Sequence, residues 1–254
     1  MPRVLGILSS SLTIEQFFTI APLTAWNKTL EEVQNIMAPY LGALDKIGIN
    51  YLALYNQSAN YYDHYSFNFG PLPYGSVRLG VDSRSGRVGG RLVPRATALT
   101  PMNNTALGAA ARFVTEMGIS WAGVALNVSI HGSVTQNAVN PAWRDTLVHV
   151  ILTSPLEMNG SRQYGQPDIM TNVVVPKVEA VTPGSGAYMN EADYLQPNFQ
   201  YEFFGSNYLK LLKIKQRYDP EQIYYATKGA GSEVWNVMDD GRLCRTGDNG
   251  VTRN

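Results

Sequence analysis

The sequence predicts an α+β fold, an antiparallel β-sheet flanked by helices on one side. Three observations carry that expectation. Residues 122–130 alternate, with Val124, Leu126, Val128 and Ile130 on one face and Ala125, Asn127 and Ser129 on the other, as in a half-buried strand. Thr146–Thr153 is apolar on both faces, which suits a central strand. Between such segments lie stretches with a helical repeat, interleaved with the strands rather than collected at one end.

Taken in order, Leu12–Leu23 reads as a β-branched and aromatic strand stopped at Pro22. Thr29 and Glu32 form a capping box, in which each side chain satisfies a backbone N–H of the other's turn. The helix that follows places Leu30, Val33, Ile36, Met37, Tyr40, Leu41, Leu44 and Ile47 on one face, with Pro39 inside it and Gly48 closing it. Ile49–Tyr55 reads as a strand. Ser58–Gly90 is aromatic and Gly-rich without clear periodicity and reads as a long ordered loop. Its Tyr61, Tyr62 and Tyr65 are candidate substrate contacts, and local packing is the equal alternative. Asn104–Met117 reads as a helix capped by Asn104 or Thr105 and ended at Gly118. Ile169–Ala180 reads as helical despite Pro176.

Of the 254 residues, 44% are apolar, enough for a sizeable core, and 20 basic residues balance 20 acidic ones. That balance argues against an electrostatic nucleic-acid surface, and no apolar run is long enough to span a membrane. Cys244 is the single cysteine, so neither a disulfide framework nor a thiolate metal site is expected. His64, His131 and His149 are too scattered to suggest a metal centre. Asn27, Asn56, Asn103, Asn127 and Asn159 each begin an Asn-x-Ser/Thr sequon. Their number leans towards a secreted glycoprotein, with ordinary polar loops as the alternative. Met1-Pro2-Arg3 opens no signal peptide, so the expectation is a mature piece or a start lying upstream.

The most informative stretch is Gly184–Trp235: a Gly-rich turn, a short acidic segment, an amphipathic helix over Asn207–Tyr218, and a Gly-punctuated loop. Tyr208, Leu211, Leu212 and Tyr218 share one helix face, and Lys210, Lys213 and Gln216 the other. The ordered series Tyr188-Met189-Asn190, Asp193, Phe204-Gly205-Ser206-Asn207-Tyr208, Tyr218-Asp219-Pro220 and Gly231-Ser232-Glu233-Trp235 resembles the C-terminal tail of berberine-bridge-enzyme-like FAD-linked oxidases, particularly their fungal branch. Asn137–Asp145 (NAVNPAWRD) resembles the same family.

The resemblance implies a substrate-binding α+β domain over 1–181 and a family tail over 182–254 that packs on the same unit. The family's FAD-binding domain is absent from the chain on this reading and would be an upstream partner. Arg84-Ser85-Gly86-Arg87-Val88-Gly89-Gly90 fails as its flavin anchor, since Arg87 replaces a Gly and no His follows. It further implies FAD as cofactor, a small organic substrate (a sugar or secondary metabolite), and hydride transfer to flavin with O2 as acceptor. Tyr188 and Asn190 would approach the flavin ring. Glu191 stands where many members carry a Tyr base; it is either a carboxylate base or a first-turn helix acid without chemistry. The strand position at which some members place an acid aligns with Val148. Both His149 and Trp143 read as core residues. A free-standing secreted binding module that kept the fold and lost the cofactor is the second reading.

Overall fold

The structure is a computed structural model and describes residues 18–70, 86–129, 137–155, 169–238 and 240–246. Two compact units divide the chain, Met1–Gly80 and Val81–Asn254. The boundary expected at 181/182 falls inside the second.

In the first unit, α1 (Leu30–Lys46) begins at the anticipated capping box: Glu32 N donates to Thr29 Oγ1 at 3.2 Å and Thr29 N to Glu32 Oε2 at 2.8 Å. It runs through Pro39, and only Val33, Met37 and Leu44 of the expected face are buried. Ile36, Tyr40 and Ile47 are exposed. Ile49–Tyr55 is extended but joins no ladder; Ala53 and Tyr55 pack towards α1 while Leu52 and Leu54 face outward, so its alternation reflects packing without a sheet. The aromatic stretch is not all loop. Tyr61–Phe69 forms helix α2, capped by Asn60 Oδ1, which accepts from Asp63 N at 3.0 Å. Tyr61–Tyr65 and Tyr65–Phe69 meet ring to ring at 6.3 and 5.2 Å, the i,i+4 contact that favours a helix. Of the Leu12–Leu23 expectation, residues 12–17 lie outside the described residues, and 18–23 show only an isolated bridge at Phe18.

The second unit is built on a three-stranded antiparallel sheet: β1 (Gly86–Pro94), β2 (Ser120–Ala125) and β3 (Thr146–Pro155), in the order β1-β3-β2. The expected central strand is central. Because β1 occupies 86–94, the predicted loop ends earlier than Gly90. Between β1 and β2 lie α3 (Arg95–Leu99) and α4 (Pro101–Glu116). α4 starts three residues before the expected Asn104, with Pro101 in its first turn, where a missing N–H costs nothing. Asn104 and Thr105 instead bond back to the carbonyls of Ala98 and Pro101.

After β3, a π-helical turn (Met170–Val174) continues into α5 (Val175–Glu179). One sheet face carries Val93, Val148, Val150 and Leu152 and packs against Val114 of α4 and Met170, Val174, Val175 and Val178. β2 differs from expectation: it ends at Ala125 and is an edge strand whose Val124 is 48% exposed, so the apolar alternation does not mark a buried face. The tail supplies α6 (Phe199–Phe204), α7 (Tyr208–Tyr218) and the hairpin β4 (Trp235–Val237) and β5 (Leu243–Arg245), the last holding Cys244. In α7, Tyr208 is buried and Leu211 and Leu212 half-buried, while Tyr218 is exposed, contrary to its expected face.

Among the sequon asparagines, Asn27 and Asn127 are exposed and Asn56 and Asn103 half-buried; Asn159 and His131 lie outside the described residues. Among the described residues no helix is long and apolar enough to cross a membrane, and no three His, Cys, Asp or Glu are grouped to hold a metal ion.

Candidate functional site

Alternation on β3 decides which side chains reach the sheet face opposite the helices. Val148, Val150 and Leu152 belong to the helix-side core, so His149 must point the other way. On that face the neighbouring strands contribute Leu92 and Val124, both registered against His149, and Gly90, registered against Ile151. Val148 therefore faces the helix-side core, and His149, one step along the strand, faces the opposite side.

Two segments from elsewhere in the chain close over His149. The first is the 3-10 turn Pro141–Arg144, which brings the Trp143 ring edge-on to the imidazole at 5.4 Å. The second runs from Ser185 to Glu191. Its start follows β1, with Ser185 Oγ donating to Leu92 O at 2.5 Å and Leu92 N to Gly186 O at 2.8 Å. Tyr188 then meets both His149 and Trp143 edge-on at 5.6 Å, so the three rings form a mutually T-shaped triangle. The 3-10 turn Met189–Glu191 follows, and Glu191 Oε2 lies 3.4 Å from His149 Nδ1.

The electrostatics are uneven. His149 is 3% exposed, and burial pushes its imidazole below the usual range, with the Glu191 carboxylate opposing that shift. The neutral ring has one N–H. Placed on Nδ1, facing the carboxylate, it leaves Nε2 a bare acceptor, and Nε2 is buried without a hydrogen-bond partner. Glu191 is far more open, with 43% of its side chain exposed. Beside it, Asn190 Nδ2 donates to Tyr188 Oη at 2.7 Å, which leaves the phenol proton free to donate onward. Apolar, half-exposed Val124 borders the same face.

Tyr188 and Asn190 are joined by a hydrogen bond, with Glu191 next in the same turn, while Tyr61, Tyr62 and Tyr65 belong to the other compact unit, the first two exposed. His149 is buried, as the sequence suggests, and together with Trp143 it also adjoins Tyr188, with Glu191 beside the imidazole. The signal was present in the parity of β3, since an apolar 148-150-152 series forces residue 149 onto the opposite face. Arg87, the misfit in the failed flavin-anchor match, donates to the Tyr194 hydroxyl and stacks its guanidinium 5.1 Å from that ring.

A sequence model of the berberine and berberine-like family matches residues 187–229. Over 231 residues the chain is 46% identical to the FAD-linked oxidoreductase ZEB1 of Gibberella zeae, covering 90% of this chain and 39% of that relative. It is 40% identical over 236 residues to the FAD-linked oxidoreductase patO of Aspergillus clavatus, covering 91% of this chain and 40% of that one. The chain therefore spans about two fifths of the length of the curated relatives it matches. Its structure superposes on the VAO-type flavoprotein MtVAO615 from Myceliophthora thermophila C1 with a TM-score of 0.69 and 28% identity, over 87% of this chain and 40% of that one. A second VAO-type flavoprotein from the same fungus, MtVAO713, shares the fold at a TM-score of 0.71 and 22% identity, over 96% and 44% of the two chains.

Proposed function

The chain belongs to the berberine-bridge-enzyme-like family of FAD-linked oxidoreductases, and from that premise we propose that it forms the substrate-facing wall of an FAD-dependent oxidase acting on a small organic molecule. The observation that carries the reading is the Glu191–His149 pair, set beside the Tyr188–Asn190 pair on the sheet face opposite the helix-side core.

The donor set suits one side of a flavin ring. Asn190 and Tyr188 are uncharged donors of the kind that ring carbonyls and ring nitrogens accept from, and Val124 and the aromatic edges offer an apolar surface for a planar ring to lie against. These residues would hold the ring; the remainder of its binding would fall to an upstream FAD-binding domain. When bound, FAD supplies the hydride acceptor, with O2 as the terminal oxidant.

The chain's own part is to take the proton that leaves the substrate with the hydride. Glu191 is the group placed to do so, because its carboxylate is accessible where His149 is enclosed. His149 Nδ1–H orients that carboxylate. Burial keeps the imidazole neutral, so it does not neutralise its partner as a permanent cation would. Tyr188 donates its phenol proton to a substrate or ring oxygen. Trp143 and Leu92 keep bulk water from the inner side of the pair.

The test is Glu191→Gln in the flavin-loaded protein. Loss of a general base should lower kcat by roughly 10²–10⁴-fold with a smaller change in KM. Turnover within twofold of the parent would show that Glu191 is a turn residue only. Purified protein that carries no flavin absorbance, with or without upstream sequence, would instead favour a binding module.

A further inference from the structure

The two segments that close over His149 are not held independently. They meet at one backbone atom, the carbonyl oxygen of Glu202 in α6. Ala187 N donates to it at 2.8 Å, which fixes the strand-like entry to Tyr188–Glu191. Asn140 Nδ2 donates to the same oxygen at 2.9 Å. The other end of that amide, Asn140 Oδ1, accepts from Ala142 N at 3.0 Å and so caps the turn that presents Trp143. One side chain therefore ties the Trp143 turn to the atom that also sets the course of the Tyr188 segment.

The surroundings are shaped for this amide. A Cβ at Gly186 would lie 2.6 Å from Asn140 Nδ2, and one at Gly205 would lie 2.7 Å from Asn140 Oδ1, so two glycines leave the room it occupies. Gly205 also sits at φ +56°, ψ −140°, a region closed to other residues. Asn140 is 5% exposed. Glu202 is anchored in turn from the sheet: its carboxylate takes a hydrogen bond from Arg91 Nη1, and Arg91 is further held by Thr182 Oγ1 at 2.8 Å and Thr182 O at 2.9 Å. Arg91 lies on β1, one residue from Gly90, so the strand that floors the site also fixes the node that positions its walls.

We propose that Asn140 and Glu202 are positioning residues of the site, joining the Trp143 turn and the Tyr188–Glu191 segment at the Glu202 carbonyl so that both close on His149 in one arrangement. Its consequence for turnover rests on the role assigned to Glu191 above; its consequence for the environment of His149 does not.

The experiment is Asn140→Ser. Serine keeps an oxygen that caps the Trp143 turn but is too short to reach Glu202, and it adds no charge. His149 is followed by NMR through its ring C–H signals in the 254-residue chain, assigned against His149→Gln. The expected result is loss of the ring-current displacement from Trp143 and Tyr188 and a titration midpoint moving up towards the ordinary imidazole value as the ring is uncovered. In the flavin-loaded protein kcat should fall by on the order of 10- to 100-fold with KM less affected, as for a misplaced reacting group. If Asn140→Ser does not fold, Glu202→Gln, which loosens the tie to Arg91 and leaves the carbonyl in place, is expected to shift His149 in the same direction by less. An unchanged His149 titration and shift in the folded variant overturns the proposal. A shifted His149 with unchanged turnover upholds it and overturns the role given to Glu191.

Discussion

Gly90 lies directly beneath the backbone of Glu191: a Cβ there would stand 2.0 Å from the Glu191 carbonyl oxygen and 3.0 Å from its carbonyl carbon. The 3-10 turn that ends at Glu191 is thus seated on β1 at a point where the strand has no side chain. Gly90→Ala should lift the turn, costing about 1–3 kcal/mol as an overpacked contact does, and carry Glu191 away from His149. A denaturant melt of the variant checks the first, and the His149 ring signals check the second. A variant as stable as the parent would mean that the turn shifts freely.

The pH dependence of stability follows from His149. Burial holds its folded value below the usual 6.5, so as pH falls below 6.5 the unfolded chain takes up a proton that the folded chain does not. Stability should therefore decline as pH drops from 6.5 towards the folded value. Glu202 acts with the opposite sign: burial raises it above the usual 4.5, Arg91 opposing, so just above 4.5 the folded chain binds its proton first. Thermal melts between pH 7 and 5, roughly bracketing the imidazole range, should show the decline, and His149→Gln should flatten it. An identical slope in the two proteins would remove His149 as its source.

Tail stability is expected to depend on Tyr208 rather than on Tyr218. The Tyr208 hydroxyl donates to Glu233 and accepts from Gly231 N at 3.3 Å, and burial together with Glu233 pushes it up to about 12. Tyr208→Phe should cost about 1–2 kcal/mol, because it leaves both partners unmatched. Tyr218 is 77% exposed, and Tyr218→Ala should change stability by no more than about 0.5 kcal/mol. Equal losses in chemical denaturation would contradict the observed orientation of α7.

Leu212 packs against the cluster of Ala187, Phe199, Phe203 and Tyr208, and a Cβ on Gly231 would stand 3.3 Å from its Cδ1. Being half-buried, Leu212→Ala should cost less than a full core truncation, about 1–2 kcal/mol. A midpoint shift outside that range, measured on the same melts, would mean that the tail packs differently.

What the sequence revealed and what it hid divide along physical lines. Thr29 and Glu32 announced α1 because a capping box is a local code, complete within four residues. The centre of the sheet was legible at 146–153 because burial on both faces leaves no polar alternation. The edge strand β2 misled: Val124 is apolar, yet at the sheet edge it is 48% exposed, so hydrophobicity there does not report burial in this chain. α2 was hidden since its stabilising contacts are aromatic pairs and an Asn cap, not an apolar stripe. Tyr188 and Glu191 were singled out through resemblance alone. His149 reads as core and is buried; that it also faces Glu191 emerges only when the parity of the strand is followed. Asn140 and Glu202 are 62 residues apart, and no local pattern could have paired them.

The shared hydrogen bonds at Glu202 bear on how such chains can be recombined. The segment recognised as a family tail supplies the acceptor, and the turn 137–145 supplies the donor that must meet it. A tail grafted onto a host whose turn lacks an amide at the Asn140 position would arrive without its donor, and a graft that displaced the α6 backbone would take the acceptor away from Asn140. The smallest interchangeable piece therefore runs from β1 through α6, even though the sequence offers a natural cut near residue 182.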